Sequence, residues 1–220
     1  MTAYSKSREG TDNIWEAMYT QRAIRYWEER EVPRDLILRV IEAATRAPSG
    51  SNLQPWRFVV VTDIPTRHVI ANAIREGVGG ASITRRYGEA TSTSQRLMMQ
   101  GASNLFENFE RAPVLIVPCL HNVTSPVTDS STLLAGSSIY GAVQNLQLAA
   151  RALGLGTVLT TVHARIDATL RETLAIPETV QPVALIPMGY PAANFGPTSR
   201  LPVEEVTYWE KWQDVTDDLD

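Results

Sequence analysis

The stretch from about Thr132 to Leu153 constrains the fold most. Ile139, Val143, Leu146, Ala150 and Leu153 fall at the spacing of one helical face, and further alanines and leucines sit around the circumference. A helix of that composition is buried on more than one face, so the rest of the chain has to pack around it. Gly154 and Gly156 stop it. The 220 residues suffice for one sizeable core, and a single domain over 1–220 is expected.

The remaining segments alternate between helical and strand periods. Asp12 or Asn13 caps a first helix to about Thr20, with Ile14, Ala17 and Met18 on one side. "VPRDLILRVIEAATRAPSG" reads as a second helix, with Pro33 near its first turn, apolar Leu36, Ile37, Val40, Ile41 and Ala44, and an end set by Pro48 and Gly50. "WRFVVVT", Trp56 to Thr62, reads as a buried strand. A helix near Pro65 to Glu76 follows. The region 77–111 is less regular and is expected to be a mobile cover, with a helix from Ser94 to Phe109 inside it, and the wider stretch 77–131 is expected to cover the substrate pocket. "APVLIVPCL" is a second strand, "HNVTSPVTDSST" a loop, "TVLTTV" a short strand or turn, Ile166 to Leu174 a helix, and "VQPVALIPMGYP" the last strand. A few strands among several helices of mixed order give an α+β class. The tail 192–220 carries Trp209 and Trp212, which are costly to expose, so it is expected to dock.

Several function classes drop out. The net charge of −4 and pI near 5.5 provide no positive field for nucleic acid. The longest apolar runs fall far short of the roughly 18 to 20 residues that span a bilayer, so no membrane partner is expected. The N-terminus lacks the apolar core of a signal peptide, and the only cysteine, Cys119, cannot make an internal disulfide, which points to the cytoplasm. Cys119 sits in an apolar strand as a packed thiol. His68, His121 and His163 stand far apart with no ligand partner at metal spacing, so no metal site is expected. No G-x-S-x-G elbow, Walker loop or G-x-G-x-x-G element occurs, and "GLGT" at 154–157 is a helix stop.

What remains is a set of neutral hydrogen-bonding groups and arginines at segment ends. "APSGSNLQPW" holds more polar side chains than a helix-to-strand connector needs. Arg22 and Arg25 stand three apart at the end of the first helix, where helical spacing lets two guanidinium groups converge on one anion, a phosphate being the best match. Each feature alone has a plain reading: solvated arginines for Arg22, Arg25 and Arg200, and loop-backbone satisfaction for Asn52 and Gln54.

Taken in order, these segments resemble the nitroreductase-like family of FMN-dependent oxidoreductases. The resemblance runs from "TQRAIRYW" to "PTSRLPVEEV": Arg22 and Arg25; Pro48, Ser49, Asn52, Gln54, Pro55 and Trp56; the "GAVQNLQLAARALGLGT" helix; and "MGYP" followed by a basic residue. It implies a three-layer α+β sandwich, a central mixed and mostly antiparallel sheet flanked by helices. It also implies an intertwined homodimer with FMN at the subunit interface and a C-terminal extension, about 192–220, embracing the partner.

By position the resemblance assigns Arg22, Ala23 and Arg25 to the FMN phosphate and ribityl side. Pro48, Ser49, Gly50, Asn52 and Gln54 reach the flavin from the other subunit. Gln144 approaches the ring, Leu159, Thr160 and Thr161 line the isoalloxazine and donate a backbone N–H towards N5, Gly189 permits close approach, and Arg200 is the basic residue near the phosphate. No side chain is assigned a catalytic role, because flavin N5 carries the chemistry. The expected reaction is hydride transfer from NADPH or NADH through the flavin to an electron-poor small molecule, a nitroaromatic or quinone, in ping-pong order. Alternatives are an offshoot reducing a dedicated enone or halogenated aromatic, a flavin-binding protein with little turnover, and a structural homodimer. Two departures stand out. Gln21 and Ala23 replace a cation and a hydroxyl of the family's Arg-Arg-Ser-x-Arg element, and "TVLTTV" lacks an acidic residue that some nitroreductases carry beside the flavin.

Overall fold

The computed structural model describes residue 4 and residues 6–78, 92–121 and 129–212, with the side chains of 94 and 129–135 left aside. Six helices are present among them: α1 (Ile14–Thr20), α2 (Arg34–Ala44), α3 (Ile64–Val78), α4 (Thr93–Glu107), α5 (Asp129–Ala152) and α6 (Asp167–Leu174). The strands are β1 (Trp56–Val61), β2 (Val114–His121), β3 (Gly156–Thr157), β4 (Val180–Pro182) and β5 (Ile186–Gly189). The expected mobile cover falls partly on 79–91 and the expected polar loop mostly on 122–128, both outside the described residues.

The strand β2 organises the sheet. Its unbroken apolar run suits burial on both faces. Leu115, Val117 and Cys119 enter one core with α3, α4 and α6, while Val114, Ile116 and Leu120 enter the other with α2 and α5. The result is three layers, helices over and under one sheet. The strand order is β1-β2-β5-β3, with β4 also on β2, and every pairing among the described residues is antiparallel.

Three local outcomes differ from the sequence reading. The run "VQPVALIPMGYP" is two strands. Cys119 pairs with Pro182 and Ile116 with Ile186, so Val183, Ala184 and Leu185 face only Val117 and Pro118 across the ladder. This is a bulge at a residue with no N–H to donate, and the freed Leu185 pairs with Thr160 instead. β1 is an edge strand rather than a buried one. Only Trp56 and Val61 are buried along it, because β2 is its sole partner among the described residues. α5 starts at Asp129, and in the single chain Ser137, Tyr140 and Gln144 form an exposed stripe opposite its buried Ile139, Val143 and Leu146.

The helix ends follow the sequence. Asn13 Oδ1 accepts from the N–H groups of Trp15 and Glu16 to start α1. Gly154, at φ +74°, closes α5, with Leu155 N–H donating to Ala150 O at 2.7 Å.

One buried charge ties the termini to α5. Arg151 is 1% exposed. Its Nε donates to Thr20 Oγ1 at 2.9 Å, Nη1 to Glu9 O at 2.7 Å and Nη2 to Glu16 Oε1 at 3.4 Å, and its guanidinium lies over the Phe195 ring at 4.2 Å. Replacing it strands a carboxylate, a hydroxyl and a carbonyl. Arg151→Met is expected to lower stability by about 3 kcal/mol in urea unfolding; a loss under about 1 kcal/mol would mean these bonds matter little.

Candidate functional site

The arginine pair is carried on extended backbone. α1 ends at Thr20, and Gln21 at φ −63°, ψ 121° leads the chain out of the helix. Helical convergence of Arg22 and Arg25 therefore does not apply, since the helix has ended before either of them. Arg22 is exposed and makes no hydrogen bond or ion pair among the described residues. Arg25 is half-buried beneath α4: a Cβ at Gly101 would stand 3.3 Å from Arg25 Cδ.

The segment is pinned to the sheet edge. Ile24 N–H donates to Thr157 O at 3.0 Å, Glu28 N–H to Tyr190 O at 2.9 Å, and Ala192 N–H to Tyr26 O at 3.0 Å. Trp27 Nε1 donates to Gly156 O at 3.1 Å. Two paired glycines make room for it. A Cβ at Gly156 would lie 2.7 Å from Ile24 Cγ2, and one at Gly189 would lie 2.5 Å from Pro113 Cδ and 3.0 Å from Trp27 Cδ1. The close approach at Gly189 is thus made by Pro113 and Trp27.

Beyond β3 the chain turns through Leu159, Thr160 and Thr161. Thr160 is buried; its N–H and Oγ1 both donate to Leu185 O, at 2.9 and 3.1 Å. Its amide is therefore committed within the protein. Among the described residues the N–H groups of Leu159 and Thr161 have no acceptor. Arg22, Ala23, Arg25 and this turn lie together at the β3 end, joined through Ile24 and Thr157.

The polar loop forms a second group. Ser49 Oγ accepts from Gln54 N–H at 3.0 Å, Gln54 Nε2 donates to Asn52 Oδ1 at 3.2 Å, and Gly50 N–H donates to Ser138 Oγ on α5 at 3.3 Å. Ser51, Asn52 and Gln54 stand at φ 50°, 53° and 49°, a left-handed conformation that costs most residues about 1–2 kcal/mol. Pro48, Gly50, Asn52 and Gln54 are exposed, as is Gln144 on α5. Arg200 is exposed in the tail, its Nη1 donating only to Ser199 O at 2.8 Å.

Other features belong elsewhere. A cavity of about 980 Å³ opens between Glu28–Ile41 and β1, and none of the expected site residues lines it. Burial pushes the Cys119 thiol up to about 11, leaving it a core group. Burial also lowers His163, against the opposing charge of Asp167. Asn104, whose Nδ2 donates to Arg25 O at 2.9 Å, was invisible to spacing because its partner lies far away in sequence.

The donor set suits FMN. A guanidinium with no partner among the described residues matches a phosphate, and two backbone N–H groups likewise unspent there match the acceptor edge of a flat polar ring.

Known proteins resemble this chain. Residues 19–190 match the family model described as the Nitroreductase family. A Methanothermobacter thermautotrophicus protein named for NADH dehydrogenase/NAD(P)H nitroreductase is 30% identical over 214 residues, covering 96% of this chain and 94% of its own. Mouse iodotyrosine deiodinase 1 is 29% identical, over 85% of this chain and 65% of its own. A Desulfovibrio desulfuricans structure of the nitroreductase type in complex with FMN superposes with a TM-score of 0.67 at 26% identity, covering 92% of this chain and 100% of its own.

Because Ile24 fills the space over Gly156, Gly156→Ala is expected to cost about 1–3 kcal/mol as an overpacked site. Chemical denaturation checks this; an unchanged midpoint would show that the segment yields freely.

Proposed function

Since this chain belongs to the nitroreductase family, we propose that it is an FMN-dependent oxidoreductase. It takes hydride from NADPH or NADH and reduces an electron-poor small molecule such as a nitroaromatic or quinone. The observation that carries the reading is the cluster of donors at the β3 end that are uncommitted among the described residues: the Arg22 guanidinium and the Leu159 and Thr161 amides. When bound, FMN supplies the redox chemistry, accepting hydride at N5 from a nicotinamide and passing it on in ping-pong order.

The chain's own groups bind and orient. Arg22 and Arg25 hold the phosphate and ribityl side, with Ala23 between them on the same backbone, and Arg200 adds positive charge from the tail. With Thr160 N–H spent on Leu185, the donor aimed at the flavin comes from Leu159 or Thr161. Gly189 shapes the wall by admitting Pro113 and Trp27.

The site is completed by a second copy of the chain. Pro48, Ser49, Gly50, Asn52, Gln54 and Gln144 reach the flavin of the partner subunit. Support comes from the strained, exposed loop, since left-handed residues persist where function holds them. Further support comes from apolar surface open in the single chain: Trp15 and Met18 on α1, Leu53 in the loop, Tyr140 on α5, and Trp209 and Trp212, 77% and 80% exposed, in the extension that embraces the partner.

The iodotyrosine deiodinase relatives favour a second reading, reductive removal of halogen from a dedicated halogenated aromatic. The acceptor is selected within 77–131 by the parts outside the core strand β2.

Apo-protein mixed with FMN is expected to turn yellow and, without oxygen, to lose oxidised-flavin absorbance on addition of NADPH or NADH. Protein that takes up no FMN overturns the proposal. Reoxidation by a nitroaromatic supports the first acceptor class, and reoxidation by a halogenated tyrosine alone supports the second. Arg22→Ala is expected to weaken FMN about 10- to 100-fold, the value of one charged hydrogen bond, with little change in the unfolding midpoint. Unchanged FMN affinity removes Arg22 from the site.

A further inference from the structure

We propose that Asn104 and Asn108 on α4 are positioning residues that set Arg25 for the cofactor. The inference rests on the reading of Arg25 as an FMN ligand. The extended segment is anchored to the sheet side at Ile24, Tyr26 and Glu28, through bonds to Thr157, Ala192 and Tyr190. Between those anchors Arg25 O points the other way and receives Asn104 Nδ2 at 2.9 Å.

A carboxamide presents a donor or an acceptor according to which way it is turned. Asn108 decides this: its Nδ2 donates to Asn104 Oδ1 at 3.1 Å and to Asn104 O at 3.3 Å. With Oδ1 engaged as an acceptor, only Nδ2 of Asn104 faces Arg25. One turn before Asn104, Gly101 leaves the helix surface bare, and the Arg25 side chain lies against it, Nη1 3.8 Å from the position of a Cβ there. α4 thus holds the Arg25 carbonyl by a hydrogen bond and the guanidinium by contact. Leu105, buried at 3% exposure, and Phe106 pin the helix to the core so that this grip is rigid. Space-filling alone does not require two asparagines joined in sequence; directing a donor does.

The test is a double-mutant cycle on FMN affinity, measured by quenching of flavin fluorescence on apo-protein. Asn104→Asp keeps the shape and replaces the donor with an acceptor. It is expected to weaken FMN about 3- to 10-fold when Arg25 is present, and less than twofold in the Arg25→Ala background. Asn108→Ala, a milder change at the start of the relay, is expected to follow the same pattern and stands in if Asn104→Asp fails to fold. Equal losses in both backgrounds, or none with Arg25 present, overturn the positioning role while leaving the flavin site intact. If Arg25→Ala alone leaves FMN affinity unchanged, the positioning role falls together with the assignment of Arg25, whereas Arg22→Ala still reports on the wider reading.

Discussion

The segment from Ile24 to Trp27 lies flat on the sheet because two side chains are missing beneath it. Gly156 and Gly189 pair across β3 and β5, and any Cβ at either would strike Ile24, Pro113 or Trp27. The arginine half of the candidate site depends on this contact. It brings an extended, cationic stretch beside the Leu159–Thr161 turn, and so sets guanidinium groups next to unspent amide donors. A helix could not have done this, because its N–H and C=O groups would be consumed internally.

The same placement explains the use of a buried charge. Removing a guanidinium from water is expensive, and hydrophobic residues of similar size often stabilise a core better. Arg151 instead gathers Thr20, Glu9, Glu16 and Phe195 around the end of α5. A hydrophobic side chain would offer none of these directional bonds. α1 is thereby fixed in both rotation and height, and the exit of the chain at Gln21 follows from it.

Much of the fold is legible in local sequence. Asn13, the β2 run and Gly154 each state their role within a few residues, because capping, two-sided burial and helix termination are local physics. The bulge at Pro118 is not legible, since it arises from what faces the proline across the ladder. β1 reads as buried from composition, yet burial belongs to neighbours, and it has one. At the candidate site, the order of polar and basic residues marks candidate segments without saying how they meet. Spacing placed Arg22 and Arg25 on a helix that had already ended, and it passed over Asn104, whose meaning comes only from a carbonyl 79 residues earlier.

The bonds that hold the arginine segment close very long loops. Arg151 meets Thr20 across 131 residues and Glu9 across 142, and Trp27 meets Gly156 across 129. Loop closure on that scale gains nothing until the intervening sheet and helices already bring the ends together. The first third of the chain contains Arg22 and Arg25, α4 in the middle third holds the Arg25 carbonyl, and the last third seats the segment, so no part alone carries the site. Assembly of the candidate binding surface is therefore among the last events of folding, and a chain still emerging from synthesis does not present that surface until α5 and β3 are in place.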